Sequence, residues 1–439
     1  MKSTGDADNI DTQAGSRIFK TFGEVFADGS LIELVASANG DQLDLLFWNG
    51  ESIVIAPQIE HGGRIYRADE LPRSIVQATR LPREPVGYGT ILQLFIELRD
   101  AFEERLGFAR PLAELCTFWV LTTWFSDCLS TPPTLWASGA DVDLAMAFFG
   151  LLHCLCRRAI RLTGVTRAGF LSLPFPFNPV LLVNQPSLPF RLQSLWCESN
   201  SRGSVVPGSR GVVLDVTSSK AIYLGMFGIA PPPSAGNLHI ALFPADHAVP
   251  LLDAGLLNEI ADHFQPRLMQ YRLDHAKEVR ESQFVVPDQP FPTGDLARTL
   301  GACIQGDADL ALQVVPLLRS QDDDVDRCSL DHAIIEVVWP RVHRTIGDAA
   351  AANMKIGAEL TPDVSTFLLC CGETRQYSRE EVGKRVAKLG LSTKPTNAGT
   401  VLLLDRQTSR RVHQLAVAYR IDKSVPGCPD CQAGEPPVG

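Results

Sequence analysis

Val180-Leu181-Leu182-Val183 is apolar at consecutive positions rather than alternate ones, with Pro179 before it and Asn184-Gln185 after it. Successive side chains of a strand point to opposite faces, so such a run needs apolar cover on both sides. That is the setting of an inner strand of a parallel sheet held between layers of helices. Runs of the same kind at 211–216, 221–225 and 238–243 predict companion strands and an α/β core. The strand closes on two amides. An amide oxygen accepts a hydrogen bond, but it holds a hard dication weakly and takes no proton at neutral pH.

Upstream, Thr134-Leu135-Trp136-Ala137-Ser138-Gly139 reads as a short strand entering a glycine turn, and the apolar run 144–155 reads as a helix. Strand, glycine turn, helix and a second strand is the order of a phosphate-binding loop and its metal-binding strand. In a working site of that kind the second strand supplies an Asp for Mg²⁺ and a Glu that activates water. This chain has Asn184 and Gln185 there. Counted from Gly139, the loop motif asks for Gly, Lys and Ser/Thr where Leu144, Ala145 and Met146 stand. Asp141 and Asp143 fall where phosphates would lie and repel them, and no lysine occurs between Lys20 and Lys220. The plainer alternative is a buried strand that ends in a polar turn.

A chain of 439 residues with 45% hydrophobic and 21% charged residues has the composition of two or three folded domains. Its net charge of −10 argues against a whole-protein grip on nucleic acid but leaves room for one basic module. Cysteines embedded in apolar runs, such as Cys116, Cys154, Cys156, Cys370 and Cys371, suit reduced core thiols and a cytoplasmic protein. No apolar run reaches membrane-spanning length.

The expected organisation is a flexible leader (1–16), a small β domain (17–84), an α/β domain (85–290), a helical domain (291–360), a winged-helix-like module (361–423) and a mobile tail (424–439). Asn39-Gly40, Asn49-Gly50 and His61-Gly62-Gly63 mark tight hairpin turns in the β domain, since these residues tolerate positive φ. Leu92, Leu94, Phe95, Leu98, Phe102 and Leu106 form one helical stripe, while 111–129 is apolar nearly all round and reads as a buried helix. The acidic run 321–326 lacks the Gly and closing Glu of a calcium loop and reads as a solvated helix-capping loop. His332 and His343, three turns apart on one helix, are read as core or capping residues.

In the last module Ser378-Arg379-Glu380-Glu381 is a capping box that opens a helix. A turn at 397–399, a strand and a further helix follow. From Arg375 to Lys423 eleven basic residues face four acidic ones, which is +7 within a chain of −10. Arg379, Lys384, Arg385, Lys388, Lys394, Arg406, Arg410 and Arg411 are the candidate phosphate contacts. A solvated helical face, or a winged helix used for protein contacts, is the alternative. Cys428-Pro429-Asp430-Cys431 supplies only two ligands, with no close histidine pair after it, so no metal site is assigned and no cofactor is expected.

Taken together, Val120-Leu121-Thr122-Thr123-Trp124-Phe125 leading into 132–139, the strand end Gly164-Val165-Thr166, the 180–185 strand and the trailing basic module resemble one family. It is the P-loop helicases and primase-helicase-like ATPases of phages and mobile elements, related to AAA+ and superfamily III helicases. The resemblance spans roughly 92–421. It implies a P-loop NTPase-like core, DNA association, and a protein partner or a homo-oligomeric ring. It does not imply activity, because the loop lysine and both acids are missing. Two other readings stay open: a winged-helix DNA-binding regulator, and an ATPase with unconventional site residues.

Overall fold

The computed structural model describes the chain apart from residues 1–10, 14–15, 38–41, 140, 186–194, 197–198, 204, 208–212, 226–235, 243–251, 287–292, 320–328, 345–352, 372, 374–375, 398, 420, 422–424, 426–427 and 433–439. Eight strands come first: β1 (Asp11–Gln13), β2 (Ser16–Thr21), β3 (Glu24–Val25), β4 (Leu31–Ala36), β5 (Leu43–Trp48), β6 (Ile53–Ala56), β7 (Gln58–His61) and β8 (Arg64–Ala68). They form two four-stranded sheets, ordered β1-β2-β8-β7 and β3-β4-β5-β6. The turn chemistry accounts for two of the hairpins. Asn49 Oδ1 accepts from the amides of Glu51 and Ser52 at 3.0 and 2.8 Å, and Gly62 and Gly63 take φ of 58° and 71° between β7 and β8. Asn39-Gly40 lies outside the described residues.

After α1 (Arg73–Ala78), α2 (Ile91–Leu106) opens on a capping box between Thr90 and Gln93. It buries Ile91 with the rest of the expected stripe, whereas Leu92 faces solvent. α3 (Arg110–Trp124) is buried along almost its whole length, as its all-round apolar sequence predicts. The core then follows as β9 (Thr134–Ser138), α4 (Val142–Leu155), β10 (Ala159–Thr163), α5 (Arg167–Leu171), β11 (Val180–Asn184), β12 (Val205–Pro207), β13 (Val213–Asp215), β14 (Lys220–Leu224), β15 (Asn237–Ala241) and α6 (Ala254–Arg280).

The central sheet is ordered β10-β11-β14-β9-β15 and all four strand pairs are parallel. Leu135, Ala137, Val180, Leu182, Ala221, Tyr223, Leu238 and Ile240 enter one core, and Trp136, Leu181, Val183, Ile222 and Leu224 enter another on the opposite face. This is why the 180–183 run carries no polar alternation. The 211–216 run is a correction: its described part, β13, pairs antiparallel with β12 in a separate half-exposed ribbon and is not an inner strand.

One polar cluster joins β4 to the α/β core. Buried Glu33 receives Arg157 Nη2 at 2.8 Å, Arg272 Nε at 2.7 Å and Arg158 Nη2. Arg272 also pairs with Asp127 at 2.5 Å and donates to Trp124 O at 2.6 Å, while Arg158 donates to the carbonyls of Phe177 and Phe22. Burial pushes the Glu33 carboxyl up, but the three guanidiniums outweigh it and hold the pKa at about 2.

The segment expected as one helical domain (291–360) divides between two cores. α7 (Thr293–Gly301) and α8 (Ala308–Leu312) pack with the α/β core, whereas α9 (Leu330–Arg344) packs with the C-terminal module. That module continues through β16 (Met354–Lys355), a π-helical turn at Ile356–Leu360, α10 (Thr361–Cys370), α11 (Arg379–Lys388), β17 (Thr393–Thr396), β18 (Gly399–Leu402), α12 (Arg406–Ala418) and α13 (Pro429–Gln432). Its three strands form an antiparallel sheet ordered β16-β18-β17. Within 424–439, Cys428 is buried, and Cys431 packs on the module's core. Cys370, expected inside, is exposed. Among the described residues no helix is long and apolar enough to cross a membrane, and the acidic run 321–326 lies outside them.

Candidate functional site

In open α/β sheets ligands bind at the carboxyl ends of the strands, where neighbouring connections leave in opposite directions. Here that point lies between β9 and β14. The chain leaves β9 toward β10 on one side and leaves β14 toward β15 on the other. Gly139 follows β9, and Asn184 ends β11 on the far side of β14, so the structure brings both predicted segments to this edge.

What occupies the edge is the protein itself. Only Gly139, Ala140 and Asp141 lie between β9 and α4, which leaves no length for a loop to wrap phosphates. The Asp141 carboxylate accepts from the Leu144 amide at 2.9 Å, and Asp143 sits in the same first turn. Free amides at a helix amino terminus are its anion-binding feature, and here an internal carboxylate takes one of them. Gly139 is confined as well. Its amide donates to Leu224 O at 3.2 Å, its carbonyl accepts from Tyr223 Oη at 2.8 Å, and a Cβ there would meet Leu242 O at 2.5 Å. The glycine is therefore required by the close approach of the chain after β15. Tyr223 keeps its proton: burial raises the phenol pKa, and the Asp141 carboxylate raises it further.

Leu144 and Ala145 are buried in the core and present no functional group. Met146 does reach the site, where its sulfur receives Asn184 Nδ2 at 3.5 Å. Asn184 Oδ1 is buried with no hydrogen-bond partner among the described residues, and the Gln185 amide donates to Tyr223 O at 3.3 Å. Lys220, the first lysine after Lys20, begins β14 and so lies at the opposite end of the sheet, where Nζ donates to the carbonyls of Ser199 and Ser218. The edge thus offers amides, a thioether, a phenol and carboxylates. No cation stands among Gly139, Asp141, Asp143, Met146, Asn184, Gln185 and Tyr223.

The C-terminal basic residues separate into two groups. Arg379, Lys384 and Lys388 are exposed on α11, Lys394 on β17, and Arg406 and Arg410 on α12. Arg385 is held instead by Asp331, with Nη2 to Oδ2 at 2.6 Å and a second contact from Nε, and Tyr419 Oη donates to the same carboxylate at 2.9 Å. Arg411 donates to Leu389 O at 3.0 Å and to Gln414 Oε1 at 3.3 Å, tying α12 to the end of α11. A cleft of about 820 Å³ runs along the exposed side of α11. Gly357, Gly383 and Gly399 leave it open, and Lys355, Arg379 and Lys384 place positive charge along it. The Ser378 capping box anchors α11, with the Glu381 carboxylate accepting from the Ser378 amide at 2.9 Å.

No family model and no curated protein matches the chain. Solved structures it is similar to include an apo form of the NrS-1 C-terminal region, at 9% identity over 84% of this chain and 96% of that chain, with a TM-score of 0.32. A full-length MCM homolog from Methanopyrus kandleri matches at 13% identity over 66% of this chain and 76% of that one, with a TM-score of 0.30. Overlaps of this size assign neither an activity nor a site.

Proposed function

We infer that the chain is a catalytically silent, helicase- or ATPase-like protein that associates with DNA through the exposed side of α11. The observation that supports silence is the Asp141 cap. A carboxylate accepts the Leu144 amide within a three-residue connection, where a nucleotide site needs a longer loop, free amides and a lysine. Asn184 and Gln185 then stand at the strand end as uncharged amides. The observation that supports DNA association is the helix, strand, helix, helix and hairpin order of 330–402, which is the order of a winged helix, with Arg379, Lys384 and Lys388 exposed on its third helix.

The full chain is expected to show no saturable binding of a fluorescent ATP analogue with Mg²⁺ and no ATP turnover. Asn184→Asp with Gln185→Glu is expected to restore neither, because the Asp141 carboxylate stays in place and no lysine is supplied. Saturable, Mg²⁺-dependent turnover by the unmodified chain would reject this reading and favour an ATPase with unconventional residues.

A further inference from the structure

Four potential metal ligands from three separate stretches of chain meet inside the C-terminal module. His343 lies near the end of α9, His413 lies in α12, and Cys428 and Cys431 flank the start of α13. The two histidines are 70 residues apart, and Cys428 follows His413 by 15. Their ligand atoms all lie within 4.8 Å of one another. Both imidazoles are oriented from behind. The Nδ1 of His343 stands 2.8 Å from Trp339 O, and the Nδ1 of His413 stands 2.8 Å from Ser409 O. A carbonyl oxygen only accepts, so both Nδ1 atoms carry the proton and both Nε2 lone pairs point inward. This is how the outer shell of a metal site fixes its histidines.

The two Nε2 atoms are 3.1 Å apart. Two lone pairs facing each other at that distance repel unless a cation lies between them. Hydrogen bonding alone does not account for the arrangement either. His413 Nε2 has the His343 nitrogen, Cys428 Sγ at 3.3 Å and Cys431 Sγ at 3.4 Å around it, and one lone pair serves one donor. The fourth edge, His343 Nε2 to Cys431 Sγ, is 3.2 Å. Zn–N bonds of about 2.05 Å and Zn–S bonds of about 2.3 Å give tetrahedral edges of roughly 3.3 Å between nitrogens and roughly 3.6 Å between nitrogen and sulfur. The four N–N and N–S edges given above are slightly shorter than those of such a tetrahedron, and all six lie within 4.8 Å. Trp339 closes one side, its ring centroid 4.4 Å from that of His343 and 4.8 Å from that of His413.

We propose that His343, His413, Cys428 and Cys431 bind one zinc ion in a closed Cys₂His₂ site. With four protein ligands no position is left for water or substrate, so the role is structural. Two thiolates and two imidazoles select zinc over the hard cations that carboxylates bind. The ion joins the tail to α9 and α12 and so fixes the helix that carries Arg406 and Arg410. The site does not depend on the DNA-binding reading.

The test uses the full chain purified without chelator. Elemental analysis is expected to find about one zinc per chain, and exchange with Co²⁺ to give thiolate-to-cobalt charge-transfer bands and the strong visible bands of a tetrahedral site. Cys431→Ser and His413→Asn should each abolish stoichiometric zinc, while Cys370→Ser, an exposed cysteine elsewhere, should retain it. Should either ligand variant fail to fold, the unmodified chain supplies the decision: chelation lowers its melting temperature and added zinc restores it. Absence of stoichiometric zinc with no cobalt bands, a Cys428–Cys431 disulfide by mass, or full zinc retained in a folded Cys431→Ser/His413→Asn double variant would each overturn the proposal.

Discussion

Glu33→Gln is expected to lower unfolding stability by about 4 kcal/mol, within the range for breaking a buried ion pair from one side. The glutamine keeps the shape and loses the charge. Arg157, Arg158 and Arg272 are all buried, and among the described residues Asp127, paired with Arg157 and Arg272, is then the counter-ion left to the cluster. The cost arises from the surplus of buried positive charge rather than from poorer packing, and this makes the mechanism separable. Adding Arg157→Met removes one of the stranded charges, so the double variant should be more stable than the two single losses summed. Urea unfolding of the four proteins measures this coupling directly. A loss below about 1 kcal/mol for Glu33→Gln, or simple additivity in the cycle, would show that the cluster does not act as one electrostatic unit.

The same carboxylate sets a pH dependence. Its folded pKa, about 2, lies below its ordinary value of 4.5, so the unfolded chain takes up the proton first as pH falls. Stability from Glu33 is therefore fully present above about pH 4.5 and is lost as pH falls toward 2. Asp127 is depressed too, since Arg157 and Arg272 outweigh its burial, and it extends the loss further into acid. Glu33→Gln should flatten the curve of unfolding free energy between pH 4.5 and 2 relative to the unmodified chain.

The difference between what the sequence discloses and what it conceals follows from the range of the interactions. The 180–183 run and the Gly62-Gly63 turn are local signals, one read from two-faced burial and the other from positive φ, and both appear in the fold where expected. The Ser378 capping box is equally local. Glu33 and its arginines are 124, 125 and 239 residues apart, so no period or motif announces them. His343, His413 and the Cys428–Cys431 pair are concealed in the same way, with each ligand ordinary in its own segment. At the sheet edge the strand end was legible in Asn184 and Gln185. The reason for Gly139 was not, because Leu242 O reaches it from the chain just after β15, about a hundred residues later. The 211–216 run misled because Val213 and Leu214, in its described strand, belong to a half-exposed ribbon, and hydropathy alone does not tell which partner a short strand finds.

Arg379→Ala, Lys384→Ala and Lys388→Ala together should weaken DNA binding by a few hundredfold at about 0.1 M salt and reduce the slope of log K against log salt by about 2.7, at roughly 0.9 for each phosphate no longer neutralised. Each cation is taken to meet one phosphate, which their exposure on one helix permits. Arg385 lies on the same helix and supplies the control. Its guanidinium is committed to Asp331, so Arg385→Ala should lower the stability of the module while leaving the slope of the folded protein within about 0.3 of its starting value. Arg411→Ala, which frees the Leu389 carbonyl, should behave in the same way. These variants separate a phosphate-binding surface from mere basic composition, because by charge all five residues are equivalent and only burial and partners distinguish them. An unchanged slope in the triple variant, or an equal change from Arg385→Ala alone, would place the DNA interface elsewhere or remove it from this module.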